Sequence, residues 1–383
     1  MTDTLLARRI SLPLLTFYGL GTILGAGIYV LIGEVTLRAG LYSPISFFVA
    51  AIIAAITAYS FARLSSFIPK SAGEAAYAYA AFNKPNISAL VGVAVVIIGT
   101  VSASTMVKGF AGYFVSVIQL SELAVLLFVI IFITAFSIWG IRQSLLVASF
   151  ITIIEVLGLL FVIYAIIDVN EIKELKSLAF LESRSILKNN YAILYAAFIS
   201  FYAYIGFEDI VNIAEETIHP RKVVPLAIVF SLAISTLIYV ALSVSCSLFI
   251  PSNVFDTSNA PLVSIIKYKG YDPTIMAMIS MIAIINGALV QLIMASRVLY
   301  GMAKQNTFIA TFKKVNEKTQ TPIAATVTVA IIITLLATSF NLVTLAEVTS
   351  AITLLVFIVV QASLLFLPKQ KYKKTKLDLI LPS

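Results

Sequence analysis

The sequence predicts an all-α polytopic membrane protein of about ten transmembrane helices, set as an inverted repeat of five and five with spans 1 and 6 interrupted. Three observations carry that class. Of 383 residues, 60% are hydrophobic and 11% charged, and the mean hydropathy is +1.03, the balance of a chain that lives largely in lipid. The apolar residues fall in long runs, near the length of about 20 residues that crosses roughly 30 Å of hydrocarbon. Two of these runs, opening the two halves, are broken by glycines or charges.

Taken in order, the expected spans are 14–33, 44–67, 87–117, 123–139, 144–167, 191–217, 224–250, 274–302, 322–339 and 342–367. The first follows a short polar segment containing Arg8 and Arg9 and carries no clear cleavage site, so it reads as a retained span and not a signal peptide. Between spans 2 and 3, Pro69 and Gly73 punctuate a stretch where alanine alternates with Tyr77 and Tyr79, the pattern of a short helix on the cytoplasmic surface. The longest polar connection, 168–190, mixes both signs of charge; a partly helical lid and a passive linker are both open. Five spans precede it and five follow. Because five is odd, the second half enters the membrane from the opposite side. The chain 1–383 then reads as one transmembrane domain, with repeats at about 14–167 and 191–367 and a cytoplasmic tail at 368–383.

Ten spans put both termini on one side, and charge chooses the side. Eighteen of the 26 basic residues fall there, among them Arg8, Arg9, Arg63, Arg221 and Arg297; seven fall on the other, and Lys108 lies within span 3. Both termini are therefore expected in the cytoplasm, with the chain in the cell membrane. The net charge of +8 follows from topology and does not call for nucleic acid. There is no P-loop, no paired Cys or His ligand set, and no nucleophile and base that could be paired. The single cysteine, Cys246, sits in an apolar run and has no internal partner. No enzyme activity, cofactor, metal or nucleic-acid partner is expected; the bilayer is.

The interruptions carry the chemistry. Gly21, Gly25 and Gly27 thin the first run, LGTILGAGIYVLIG, without any charge. Gly206, Glu208 and Asp209 break the sixth, SFYAYIGFEDIVNIAEET. Unwinding a helix in lipid frees amide donors on one side and carbonyl acceptors on the other, which is costly unless a ligand or neighbour meets them. In span 1 the glycines bare the backbone and the following amides point at an anion such as a carboxylate. In span 6 the carbonyls of Ala203, Tyr204 and Ile205 can accept from an ammonium group. Facing each other, the two breaks fit a zwitterionic amino acid. Gly25-Ala26-Gly27 alone is also the small-residue pattern of helix packing; the second break in the matching position turns the reading towards a site. Phe201, Tyr202 and Tyr204 read singly as core aromatics, with one of them expected to wall the pocket.

Among the carboxylates, Glu155 is the most isolated, deep in IIEVLGLLFVI. A coupling or gating role and a satisfied structural hydrogen bond are both open for it. Glu208 and Asp209 either take part in gating or hold the break open. Glu215, Glu216 and His219 lie near the cytoplasmic end, where capping is the expected role.

Gly206-Phe207-Glu208-Asp209 followed by Ala214-Glu215-Glu216-Thr217, then His219-Pro220-Arg221 and Pro225, resembles the span 6 signature of the amino acid, polyamine and organocation (APC) superfamily of transporters. Leu24-Gly25-Ala26-Gly27-Ile28-Tyr29 is similar to its span 1 motif. Pro69, Ala72-Gly73-Glu74 and Tyr77 resemble its first cytoplasmic loop, and Ala295-Ser296-Arg297 with Tyr300-Gly301-Met302-Ala303 its span 8 end. The resemblance implies a LeuT-like fold in which spans 1, 2, 6 and 7 rock against a scaffold. It implies that Ile23, Gly25, Ala26 and Gly27 bind the substrate carboxylate, and Ala203, Tyr204 and Ile205 its amino group, with Phe201 and Gly206 beside them. Two departures stand out. Some relatives carry a lysine in span 5 where this chain has Glu155, and many have twelve spans where this chain has ten. The expected function is secondary active transport of an amino acid or related amine by alternating access, with H+ as the coupling ion and Glu155 and Glu208 as coupling or gating groups. Exchange of amino acids, and an amino acid sensor of the same fold that does not transport, are the alternatives.

Overall fold

A computed structural model describes residues 10–69, 73–139, 145–167, 190–255, 260–304, 308–314, 316, 321–368 and 378. Twelve α-helices can be followed among them: α1 (Leu12–Ala39), α2 (Ser43–Phe67), α3 (Gly73–Phe82), α4 (Pro85–Val117), α5 (Glu122–Trp139), α6 (Leu145–Ile166), α7 (Asn190–Phe201), α8 (Pro220–Phe249), α9 (Pro261–Tyr268), α10 (Thr274–Lys304), α11 (Ile323–Ser339) and α12 (Leu342–Phe366). Seven helical stretches are long and apolar enough to cross a membrane, and Leu12–Gly25, Glu122–Ile138 and Ile323–Ser339 are shorter apolar helices. Together they cover all ten expected spans. The fold is that of a polytopic all-α membrane protein.

Proline starts several helices, at Pro13, Pro44, Pro85, Pro220 and Pro261, where its missing amide costs nothing. Serines and threonines within the spans return their hydroxyls to the carbonyl one turn back, as Thr36 does to Ile32 and Ser200 to Ala196, so they need no distant partner. The outer faces are apolar and exposed, with Leu90, Ile131, Leu237 and Leu355 among the side chains left for lipid. Span 6 is different. Its apolar stretch Tyr191–Val211 is 83% buried, against 44% for the windows in α6, α8, α10 and α12, so the broken helix lies in the middle of the bundle.

Around that centre, α2 packs on α8, α4 on α10 and α5 on α11. The cross-contacts come in matched pairs: α1 lies on α8 as α2 lies on α7, and α12 lies on α4 as α6 lies on α10. In these pairs each contact maps onto its counterpart when a span is exchanged for the one five places along.

The expected surface helix between spans 2 and 3 is present as α3. It buries Tyr77 against Phe61 of α2, with ring centroids 6.3 Å apart, and leaves Tyr79 half exposed. The helix α9, and the short 3-10 turn Ser252–Val254 before it, had no counterpart in the sequence reading. The connection 168–189, within the stretch 168–190 read as lid or linker, lies outside the described residues, as does the tail apart from Pro368 and Asp378. The carboxylate of Asp378 is fully buried on α2, where Arg63 Nε and Nη2 donate to it at 2.6 and 2.8 Å and Tyr59 at 2.8 Å.

Asp378→Ala removes three charge-assisted hydrogen bonds, but the Arg63 side chain keeps 26% exposure and can turn to water. A loss of about 1–2 kcal/mol is therefore expected, read as a lower midpoint of thermal unfolding in detergent; an unchanged midpoint would mean that the tail contact adds nothing.

Candidate functional site

The helical path of α1 breaks at Gly25, whose φ of −11° and ψ of −131° belong to no helix. In span 6, α7 ends at Phe201 and passes through a single 3-10 turn, Tyr202–Tyr204. Ile205 is then extended, Gly206 takes φ +125°, and a second 3-10 stretch, Phe207–Glu216, completes the crossing. The break falls at Gly206, where the interrupted span 6 was expected to unwind, and the 3-10 form of its second half has a local contribution. Glu208 Oε2 accepts from the Gly206 amide at 2.8 Å, a bond that a continuous helix would have given to a carbonyl.

The two breaks touch. A Cβ on Gly27 would stand 2.4 Å from Ala203 Cα, and one on Gly206 would stand 2.5 Å from the Thr22 carbonyl oxygen. Backbone therefore meets backbone at two points, and both glycines are required for contact; at Gly206 the positive φ is a second reason. Gly25 differs, because a Cβ there would meet nothing within 4 Å. Space beside bare backbone lies at Gly25, one residue from Ala26, and not at Gly27.

Freed carbonyls in this region are met by hydroxyls. Tyr239 of α8 donates towards Ile23 O at 2.8 Å and Ala203 O at 2.9 Å, one from each broken helix. Thr22 Oγ1 lies 2.9 Å from both Gly19 O and Gly206 O. Tyr29 donates to the Glu155 carbonyl at 3.1 Å, Tyr113 to the Tyr29 carbonyl, and Tyr204 to Phe47 O at 3.1 Å. The sequence reading gave Tyr204 a role through its own carbonyl; its side chain turns to α2. Phe201 packs its ring edge-on against Phe357 of α12 at 6.0 Å, and Ile205 donates its amide to Tyr202 O at 3.2 Å.

Glu155 is 1% exposed, and neither of its carboxyl oxygens has a hydrogen-bond partner among the described residues. The structural hydrogen bond held open for it is thus not seen there. Its backbone carbonyl accepts from Tyr29, which ties α6 to the second half of α1. One turn away on α6, Thr152 lines a cavity of about 20 Å³ with Tyr18, Gly21, Thr22, Asp209 and Gln291. That is room for one water-sized group. Gln291 Oε1 is buried there without a partner among the described residues. Glu208, by contrast, is used by the backbone at Gly206. No group of His, Cys, Asp and Glu that could hold a metal occurs among the described residues.

Sequence reasoning missed Tyr239, Tyr29 and Thr22. The only signal was that each is a hydroxyl in an apolar run. Gly27→Ala is expected to force the two breaks apart and to destabilise the protein by at least about 2 kcal/mol. Gly25→Ala, whose methyl has free space, is expected to leave it folded. Thermal unfolding of the two variants side by side checks the contrast, and equal midpoints would contradict the backbone contact at Gly27.

The profile of the amino acid permease family matches residues 10–382. The chain is 27% identical to cationic amino acid transporter 3, mitochondrial, of Arabidopsis thaliana, over 94% of this chain and 62% of that protein. It is 27% identical to the branched-chain amino acid permease BcaP of Bacillus subtilis, over 93% of this chain and 80% of the permease. The methylthioribose transporter of the same bacterium is 26% identical, over 95% and 82%. The chain spans about three fifths of the length of the plant transporters it matches. With the family profile running from the first described residue almost to the end of the chain, the protein belongs to the amino acid permease family of the APC superfamily, a family of transporters and not of enzymes.

Proposed function

We propose that this protein moves an amino acid or related amine across the cell membrane by alternating access, with both termini in the cytoplasm. The observation that carries the reading is the meeting of two broken helices in the centre of the bundle, with open space beside Gly25 and hydroxyl-capped carbonyls at Ile23 and Ala203. Amides after Gly25 offer donors for a carboxylate, and the carbonyls of 203–205 offer acceptors for an ammonium. The matched packing of spans five apart supports two inverted repeats, 14–167 and 191–367, and a LeuT-like arrangement in which spans 1, 2, 6 and 7 move together.

The substrate on this reading is a neutral, apolar amino acid. Buried apolar side chains, Ile23, Phe201 and Ile205 among them, stand beside the breaks, and Asp209 lines the cavity at Gly21 and Thr152. Relatives whose names specify branched-chain or cationic amino acids, or methylthioribose, bracket the choice.

Proton symport is the preferred coupling, with Glu155 as the proton-carrying group. A buried carboxyl without a hydrogen-bond partner is costly in either protonation state and is tolerated in lipid mainly where a charge must come and go. Exchange is the second reading.

Purified protein in liposomes, offered labelled standard amino acids one at a time, tests both. A proton gradient, a sodium gradient or unlabelled internal amino acid is imposed in turn. Uptake is expected, strongest with the proton gradient; no uptake in any condition, with binding still visible as a thermal shift, would make the protein a sensor. Glu155→Gln is expected to abolish accumulation driven by the proton gradient and to spare exchange. Equal loss of both would assign Glu155 to folding.

A further inference from the structure

We infer that Tyr239 is a positioning residue that stands in for the substrate's ammonium group when the carrier is empty. The inference rests on the reading of the carbonyls at 203–205 as ammonium acceptors. Its physical basis is the sharing of one hydroxyl between the two broken helices. Tyr239 lies 2.8 Å from Ile23 O in span 1 and 2.9 Å from Ala203 O in span 6, and it is fully buried. A tyrosine has a single proton to donate, so it cannot satisfy both carbonyls fully at once.

The other tyrosine hydroxyls nearby behave differently. Tyr29 serves the carbonyl of Glu155 and Tyr204 that of Phe47, one acceptor each, as an ordinary structural cap does. Only at Tyr239, among these, does the hydroxyl bridge the two elements that the substrate would also bridge. Its ring is held independently of the hydroxyl, with centroids 5.1 Å from Tyr204 and 6.0 Å from Phe47. Removing the oxygen therefore leaves the ring packing in place.

An arriving ammonium brings three donors and donates to the carbonyl of Ala203; the Tyr239 hydroxyl, keeping its proton, then donates to the carbonyl of Ile23 alone. When the substrate leaves, the hydroxyl bridges both again. The two breaks stay joined in the empty carrier, and their carbonyls are not left unpaired in an apolar interior. An unloaded carrier can then close and return. Net downhill uptake needs that empty return on every cycle. Exchange does not, because the carrier returns loaded.

The test compares wild type with Tyr239→Phe in liposomes without any ion gradient, using each labelled standard amino acid in turn, with and without the same amino acid unlabelled inside. Net downhill uptake is expected to fall about tenfold, exchange to change by less than about threefold, and the half-saturating concentration for exchange to stay within the same range. Tyr239→His, which keeps an N–H donor, should recover part of the net uptake. Net uptake and exchange falling together would overturn the inference, as would no change in either. Failure of Tyr239→Phe to fold would assign the hydroxyl to folding and likewise overturn it. So would a wild type that exchanges more than about a hundredfold faster than it takes up amino acid, since such a carrier has no empty return to support. A wild type that moves no amino acid in any condition would instead refute the transport function itself. The missing ion gradient separates this effect from that of Glu155→Gln, which acts on gradient-driven accumulation.

Discussion

A helix broken in hydrocarbon must find partners for the backbone groups it frees, and much of this structure answers that demand. Leaving a buried donor or acceptor unpaired costs about 1–3 kcal/mol, and each break frees several. The protein meets them mostly with side-chain hydroxyls. Tyr239 reaches Ile23 and Ala203, Thr22 reaches Gly206, and Glu208 takes the Gly206 amide. None of these is a backbone-to-backbone bond. A hydroxyl can let go of a carbonyl at little cost when a stronger donor arrives, so the same arrangement that keeps the empty protein folded leaves its acceptors open to a ligand.

Glycine does two separate jobs at the breaks. Gly27 and Gly206 let backbone approach backbone, at Ala203 and at Thr22. Gly25 lets backbone face open space. Small-residue packing and ligand access are often treated as rival explanations for such motifs, but here two glycines of one motif, two residues apart, divide them. The contact at Gly27 fixes where span 6 sits, and the opening at Gly25 lies beside it only because that contact holds.

Most of the fold was legible in the sequence because lipid forces it to be. Apolar run length gives the spans, and each expected limit lies within several residues of a helix end, apart from span 6, whose second half is a 3-10 stretch. The breaks at Gly25 and Gly206 were legible because glycine and charge are rare in such runs. What stayed hidden was the partner of each break. Tyr239 is 36 residues beyond Ala203 and 216 beyond Ile23, and nothing near it in sequence marks it off from other tyrosines in apolar helices. Likewise α9 is too short and too ordinary in composition to be told from loop. Long-range pairing leaves no local trace.

Glu155 shows why the two halves of the site belong together. Its backbone carbonyl is held by Tyr29, from the second half of α1. Through that bond Glu155 is joined to span 1. In span 5 this chain carries a group whose charge can be removed by one proton. A fixed cation stabilises one arrangement of the surrounding carbonyls. An acid that can be neutral or negative favours different arrangements in its two states, since ionised it only accepts hydrogen bonds and protonated it can also donate one. Proton coupling requires that dependence of structure on protonation, and on the proposed reading Glu155 supplies it.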